Sequence, residues 1–327
     1  MNATAWIVAL VPAIVAACAI ALLRRAGAGA WLVDRPNERS LHAQPTPRLG
    51  GIGVAAGVAS VAPFLWSPPL DIALGLAGLL FAISLADDVR SLPMAVRLAA
   101  HIAAAAIFVV AAMPHDAIAA WLVALAAVAA VAWMTNLFNF MDGADGLAGG
   151  MAVIGFGAFA IAAWRHDSAT LALAAVALAS ASAGFLAHNF PPARVFLGDA
   201  GSIPMGFLAA ALGVQGIVEG AWPAWFPVLV FSPFIVDATV TLARRALGGK
   251  KFWRAHREHY YQRLALAGWS RRRLLFAACG LMLAAAACAF AAMAAVREVQ
   301  LGILLGWTAV YASLLVAIDR HAGTSVG

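Results

Sequence analysis

Long stretches almost free of charge recur along this chain, and they constrain its fold more than any other feature. Apolar runs near the ~17 residues a helix needs to cross hydrocarbon fall at roughly 5–23, 50–66, 72–86, 98–114, 117–135, 147–164, 169–187, 203–218, 222–243, 274–296 and 299–318. The third is short unless it continues through Asp87-Asp88. Backbone groups find no water inside a bilayer, so such runs must be helices. With 64% hydrophobic residues, 11% charged and a mean hydropathy of +0.90, a soluble domain is excluded. The expected fold is all-α, a polytopic membrane helical bundle of about eleven transmembrane helices that occupies 1–327 as a single domain. The first run has no basic segment before it and no convincing cleavage site, so it reads as a retained helix. Cys18, Cys279 and Cys288 lie inside apolar runs and give neither a disulfide framework nor a metal-ligand spacing.

The net charge of +6 does not mark a nucleic-acid surface. The basic residues sit in particular loops, as topology and contact with anionic membrane lipids require. Of the 21 Lys and Arg, alternate loops on one side leave only Arg165 and Arg297 to the other. The rich set is therefore cytosolic, with the N-terminus outside and the C-terminus inside. On that assignment loops 34–51, 87–93, 136–146, 188–202 and 244–273 share the cytosolic face, while the opposite loops are short and plain.

These five loops hold the chemistry. Asn136-Leu-Phe-Asn139-Phe-Met-Asp142-Gly-Ala-Asp145-Gly interrupts two apolar runs with far more polarity than a turn needs. Its oxygen-only side chains suit a hard cation such as Mg²⁺ shared with substrate phosphates. Asp87-Asp88 ends the third run, where the helix dipole and mutual repulsion oppose both acids, so Arg90 or a metal must compensate. In His188-Asn-Phe-Pro-Pro-Ala-Arg194-Val-Phe196-Leu-Gly198-Asp199-Ala-Gly-Ser202, Ser202 is expected to cap a helix whose N–H groups can hold a phosphate, with Asp199 facing the cation. The loop from Arg35 through His42 to Arg48-Leu-Gly-Gly either clamps phosphate oxygens or serves only orientation. His256-Arg257-Glu258-His259 lacks a third zinc ligand and suits a phosphorylated, ring-bearing substrate better; a membrane-surface helix is the plainer alternative. Asp237 is either an intramembrane functional acid or the partner of Arg244 or Arg245. His101 reads as a hydrogen-bonded packing residue.

Taken in order, these loops resemble the motifs of the polyprenyl-phosphate N-acetylhexosamine-1-phosphate transferases of glycosyltransferase family 4. The resemblance spans about 35–263 and includes Pro47-Arg48-Leu-Gly-Gly before the second run. It implies a bacterial inner (plasma) membrane enzyme that transfers a sugar-1-phosphate from a UDP-sugar to undecaprenyl phosphate, releasing UMP. By motif position, Asn139 and Asp199 coordinate Mg²⁺, with Mn²⁺ as a substitute. Asp87 or Asp88 positions or deprotonates the lipid phosphate, and Asp142 joins these acids by shaping the loop and its field. Asp145 and Phe196 hold the uridine, Phe196 stacking on uracil, and His256, Arg257 and His259 contact the diphosphate or sugar. Arg48 and Arg194 are counted with the substrate-binding residues. The His-Arg-Glu-His loop is more similar to the O-antigen branch, which handles N-acetylated 6-deoxy sugars, than to the N-acetylglucosamine branch. Undecaprenyl phosphate, a UDP-sugar and membrane lipids are the expected partners, with a homodimer compatible and no nucleic acid. The rival class is a secondary transporter, which needs its polar groups at the bilayer midplane.

Overall fold

A computed structural model describes residues 3–34, 36, 44–113, 118–251 and 256–324. The described chain is helical apart from a two-residue antiparallel pairing of Val33–Asp34 with Thr46–Pro47. In order the helices are α1 (Ala3–Arg25), α2 (Gly50–Ala59), α3 (Leu70–Arg90), α4 (Met94–Ala112), α5 (Ile118–Phe140), α6 (Leu147–Arg165) and α7 (Ala169–Asn189). They continue with α8 (Asp199–Val218), α9 (Trp225–Val230), α10 (Ser232–Leu247), α11 (Tyr260–Leu266), α12 (Arg271–Met293) and α13 (Arg297–Thr324). Nine helices among the described residues are long and apolar enough to cross a membrane, which makes this an all-α polytopic membrane protein.

The other two expected spans are interrupted. The run 50–66 forms only the ten residues of α2 before Pro63 turns the chain into a 3₁₀ segment. The run 222–243 breaks between α9 and α10, where Pro233 offers no N–H to continue the helix. Ser232 takes up the slack there, donating to Leu229 O at 2.6 Å and pairing with Tyr311 Oη at 2.6 Å. In contrast, α3 runs through Asp87-Asp88 to Arg90, which gives it full spanning length.

Packing places α6, α7 and α8 at the centre and α13 at the edge: 78% of the α8 span is buried but only 6% of α13. Lipid gives helices no hydrophobic reason to associate, so contact relies on small residues and interhelical hydrogen bonds. Ser180 of α7 shows the second device. Its hydroxyl accepts from Ala13 N at 3.0 Å and donates to Ala9 O at 2.7 Å, inserting into α1 beside Pro12. His101 is buried and hydrogen-bonded to Asn136 across α4 and α5 at 3.1 Å, as expected of a packing residue. The three cysteines are free.

Candidate functional site

The site is assembled where helix ends from distant parts of the chain meet. Loop 44–51 lies along loop 194–198: Phe196 N donates to Pro47 O, Gly50 N to Phe196 O and Gly51 N to Leu197 O, at 2.8–2.9 Å. This brings the starts of α2 and α8 into backbone contact. A Cβ on Gly51 would sit 2.4 Å from Gly201 N, so a side chain at this position cannot fit. Gly198, at φ 74°, precedes α8 in a conformation that glycine adopts without strain. The helix begins at Asp199, not at Ser202. Ser202 lies inside its first turn and donates its hydroxyl back to Gly198 O.

Asp88 occupies the α8 start. It accepts N–H bonds from Asp199 and Ala200, the latter at 3.1 Å, and a guanidinium bond from Arg48 Nη1 at 3.0 Å. The dipole of α8 thus offsets the unfavourable end of α3 on which the acid sits. Arg48 also reaches Asp34 at 2.7 Å. Asp87 points to the other side, to Leu92 N at 2.6 Å and Arg97 Nη1 at 2.7 Å. The same Arg97 nitrogen lies 3.3 Å from Asp199, whose carboxylate Asn139 also hydrogen-bonds. The compensation expected of Arg90 therefore comes from Arg48 and Arg97.

Asp142 completes the cluster. Burial, followed by the neighbouring Asp199, Asp88 and Asp34 carboxylates, holds its carboxyl well above the usual carboxylate range, against the pull of Arg48. Four carboxylates, Asp34, Asp87, Asp88 and Asp199, share two guanidiniums beside the Asp142 carboxyl, which is an excess of negative charge. That excess and the oxygen-only donors fit a hard divalent cation. Among the described residues no three acids or histidines form a ready-made cage. This agrees with Mg²⁺ chemistry, which uses one or two carboxylates and takes its other ligands from phosphates and water.

A second layer fastens the loops. Asp145 is buried, its Oδ2 accepting from Ala193 N at 3.0 Å and from Arg271 at 3.1 Å. Gly146 N donates to Asn189 at 2.8 Å, and Asn189 donates to Val195 O at 2.9 Å. Phe196 is half-buried beside this seam, whereas Arg194 and Arg257 are exposed. His259 is buried, stacked on Phe140 next to Asn139 and on Tyr261, with the His256 ring 4.9 Å from its own. His256 is half-buried, and its imidazole is pushed down to about 4 by that burial, then by His259 and Arg245.

Asp237 pairs with neither Arg244 nor Arg245, the partners considered from sequence. It accepts Tyr260 N and Tyr261 N at 2.9 Å and His259 Nδ1 at 3.2 Å, which anchors the start of α11. Arg245 instead pairs with Glu258, and Arg244 and Arg263 with Asp319 on α13. Sequence reasoning counted Arg97 for topology alone and passed over Asp34. Their one signal was position, beside the Asp pair and beside the arginine loop. Arg35, Arg39, His42 and residues 252–255 fall outside the described residues.

The fold and this cluster define a helical membrane protein that gathers acids, arginines and an amide where its helix ends meet. Residues 71–217 match the family model described as glycosyl transferase family 4. The chain is 30% identical over 288 residues, 74% of its length and 70% of the relative's, to a decaprenyl-phosphate N-acetylglucosaminephosphotransferase of Mycolicibacterium smegmatis. It is 27% identical over 256 residues, 73% of its length and 71% of the relative's, to a probable undecaprenyl-phosphate N-acetylglucosaminyl 1-phosphate transferase of Bacillus subtilis. A phospho-N-acetylmuramoyl-pentapeptide-transferase of Bacillus pumilus matches at 35% over 156 residues, 46% of each chain. The chain belongs to glycosyl transferase family 4, in the polyprenyl-phosphate hexosamine-1-phosphate transferase superfamily.

Proposed function

We propose that this protein transfers an N-acetylated hexosamine-1-phosphate from its UDP-sugar to undecaprenyl phosphate at the cytosolic face of a bacterial plasma membrane. The observation that carries the reading is the carboxylate cluster bridged by Arg48 and Arg97 on the end of a membrane bundle. A lipid phosphate reaches that depth laterally and a nucleotide reaches it from water. The nineteen-to-two loop bias in Lys and Arg supports the orientation. Polar residues gathered at one end, with no comparable midplane cluster among the described residues, speak against the transporter reading.

In the reaction, an oxygen of the lipid phosphate attacks the sugar-bearing phosphorus of the donor. The bond from that phosphorus to the UMP oxygen breaks, and UMP leaves with the electron pair. Such transfers need positioning and charge neutralisation more than covalent help. Asp199 and Asn139 would hold Mg²⁺, with Asp142 alongside, and a bound ion would supply positive charge against the phosphate oxygens. Asp88, fixed by the α8 start and Arg48, and Asp87, fixed by Arg97, face the lipid phosphate and take its proton when it arrives protonated. Arg48 and Arg97 are free to exchange a carboxylate for a phosphate oxygen as substrate binds. Phe196 and Asp145 flank the uridine, and His256, Arg257 and His259 read the sugar side. With its pKa near 4, His256 does so as a neutral hydrogen-bonding ring. The His-Arg-Glu-His string favours an N-acetylated 6-deoxyhexosamine of the O-antigen type within this class.

The purified protein assayed with undecaprenyl phosphate over a panel of UDP-sugars tests the reading. One phosphoanhydride replaces another, so UMP added to the lipid product must regenerate the UDP-sugar. Forward turnover with no back reaction would refute direct sugar-1-phosphate transfer.

A further inference from the structure

Tyr261, in the first turn of α11, joins the histidine loop to the acid loop through its side chain. The residue is 5% exposed, and its hydroxyl donates to the Phe140 carbonyl at 3.1 Å. The Gly143 N–H and the Gln262 side chain face the same oxygen. A Cβ on Gly143 would sit 2.1 Å from it, so the loop closes on the hydroxyl as tightly as a glycine allows. Phe140 ends α5, where carbonyls lose their intrahelical partners. Asn139 stands directly ahead of it, and Asp142 N donates to Asn139 O at 3.1 Å. One hydroxyl therefore spans the turn that carries both Asn139 and Asp142.

The other end of Tyr261 is fixed as well, its N–H donating to Asp237 of α10 at 2.9 Å. Between the two anchors lies the His259 ring, stacked 5.9 Å from Tyr261 and 6.2 Å from Phe140. Tyr260, one residue earlier, supplies the contrast. It is equally buried, yet its hydroxyl has no hydrogen-bond partner among the described residues.

We propose that Tyr261 is a positioning residue whose hydroxyl closes the turn 140–143 and sets where Asn139 and Asp142 stand relative to His259. A sugar group held at the histidine loop and an ion held at Asn139 then share one rigid frame. The inference rests on the reading of Asn139 as an ion ligand. Loss of the hydroxyl leaves the fold intact, because Phe140 and Gly143 are exposed and water can take both bonds. What disappears is the fixed geometry of the turn.

Tyr261→Phe, Gly143→Ala and Tyr260→Phe are compared with wild type in detergent. Hydrogen exchange of residues 139–146, Mn²⁺ titration by electron paramagnetic resonance and the thermal midpoint need no turnover; UMP release against Mg²⁺ is the fourth readout. Tyr261→Phe should speed exchange in the loop and raise the Mn²⁺ half-saturation, each about three- to tenfold, the scale of one lost hydrogen bond. The Mg²⁺ needed for half-maximal UMP release should rise by the same factor, with kcat at saturating Mg²⁺ nearly kept. Gly143→Ala, whose methyl displaces the hydroxyl, should reproduce the shift, and Tyr260→Phe should show none; Tyr261→Phe carries the test if Gly143→Ala does not fold. A Tyr261→Phe protein that binds Mn²⁺ as wild type does overturns the proposal even if its thermal midpoint falls, as does an equal shift in Tyr260→Phe. Wild type that binds Mn²⁺ but releases no UMP counts against the transferase reading instead, and the Mn²⁺ titration still decides the role of Tyr261.

Discussion

Asp88 accepts the Ala200 N–H at 3.1 Å, so a carboxylate, not a phosphate, occupies the start of α8. The acid is thereby held rigid, with Arg48 on its other oxygen. Replacing it by Asn preserves the shape and removes the charge. Turnover of Asp88→Asn is expected to fall by about 10²–10³, the scale of one well-placed electrostatic contact, with a lower thermal midpoint because the amide NH₂ must face either Arg48 or the α8 N–H donors. A variant retaining half the wild-type kcat in the UMP-release assay would remove Asp88 from the reacting groups.

The metal assignment separates by dose. Asp199→Asn removes charge from the proposed ion site and should cost at least about 10²–10³ in turnover, unrelieved by added Mg²⁺. Asn139→Ala takes away a neutral ligand and should recover in part as Mg²⁺ is raised. Asp142→Asn shifts the Mg²⁺ dependence less than either. Near-normal activity and metal response in Asp199→Asn would refute the placement.

Arg97 bridges Asp87 and Asp199, at 2.7 and 3.3 Å. Arg97→Gln leaves the two acids facing each other without that cation. Activity should drop about tenfold or more, and high Mg²⁺ should recover some of it by supplying positive charge. Loss that ignores Mg²⁺ altogether would show that Arg97 acts on substrate alone.

Stability should respond to pH through His256. Its folded pKa, about 4, lies below the ~6.5 of an unfolded histidine. Between those values the unfolded chain binds the extra proton, so folding weakens as pH falls from ~6.5 toward 4 and is unaffected by this group above ~6.5. The ring is half-exposed and the effect correspondingly screened. In thermal midpoints measured from pH 7 to 4.5, His256→Gln should decline less steeply than wild type; parallel curves would contradict the assignment.

Orientation is open to a direct check. Single cysteines at Ser67, Ser168 and Thr324 can be probed in intact cells with an impermeant thiol reagent. Ser67→Cys and Ser168→Cys should label and Thr324→Cys should not. The reverse pattern would invert the topology.

Much of the bundle was legible because hydrocarbon imposes one simple demand, apolar length. The same rule could not foresee that Pro63 and Pro233 divide two runs, since hydropathy averages over a break that a single missing N–H creates. At the site, Asn139, Asp199 and the Asp pair announced themselves as polarity in excess of what a turn requires. The pairing of Asp199 with Arg97 and of Asp88 with Arg48 was hidden, because it joins residues 102 and 40 positions apart. The part played by Asp237 was hidden for another reason. An acid in an apolar run suggests a cation, yet apart from the Thr241 hydroxyl one turn on, its partners are two backbone N–H groups and a ring nitrogen from a distant segment.

Where Gly51 meets Gly201, main chain rests on main chain with no side chain between. The first turn of one helix carries Asp199, and Arg48 stands just ahead of the other. Their separation is therefore set by the thickness of the peptide backbone itself, a gauge that neither rotamer changes nor fluctuations in the surrounding lipid can reset. A protein embedded in a fluid of varying thickness thus keeps a fixed yardstick at the spot proposed here for phosphate chemistry, where ångström tolerances matter.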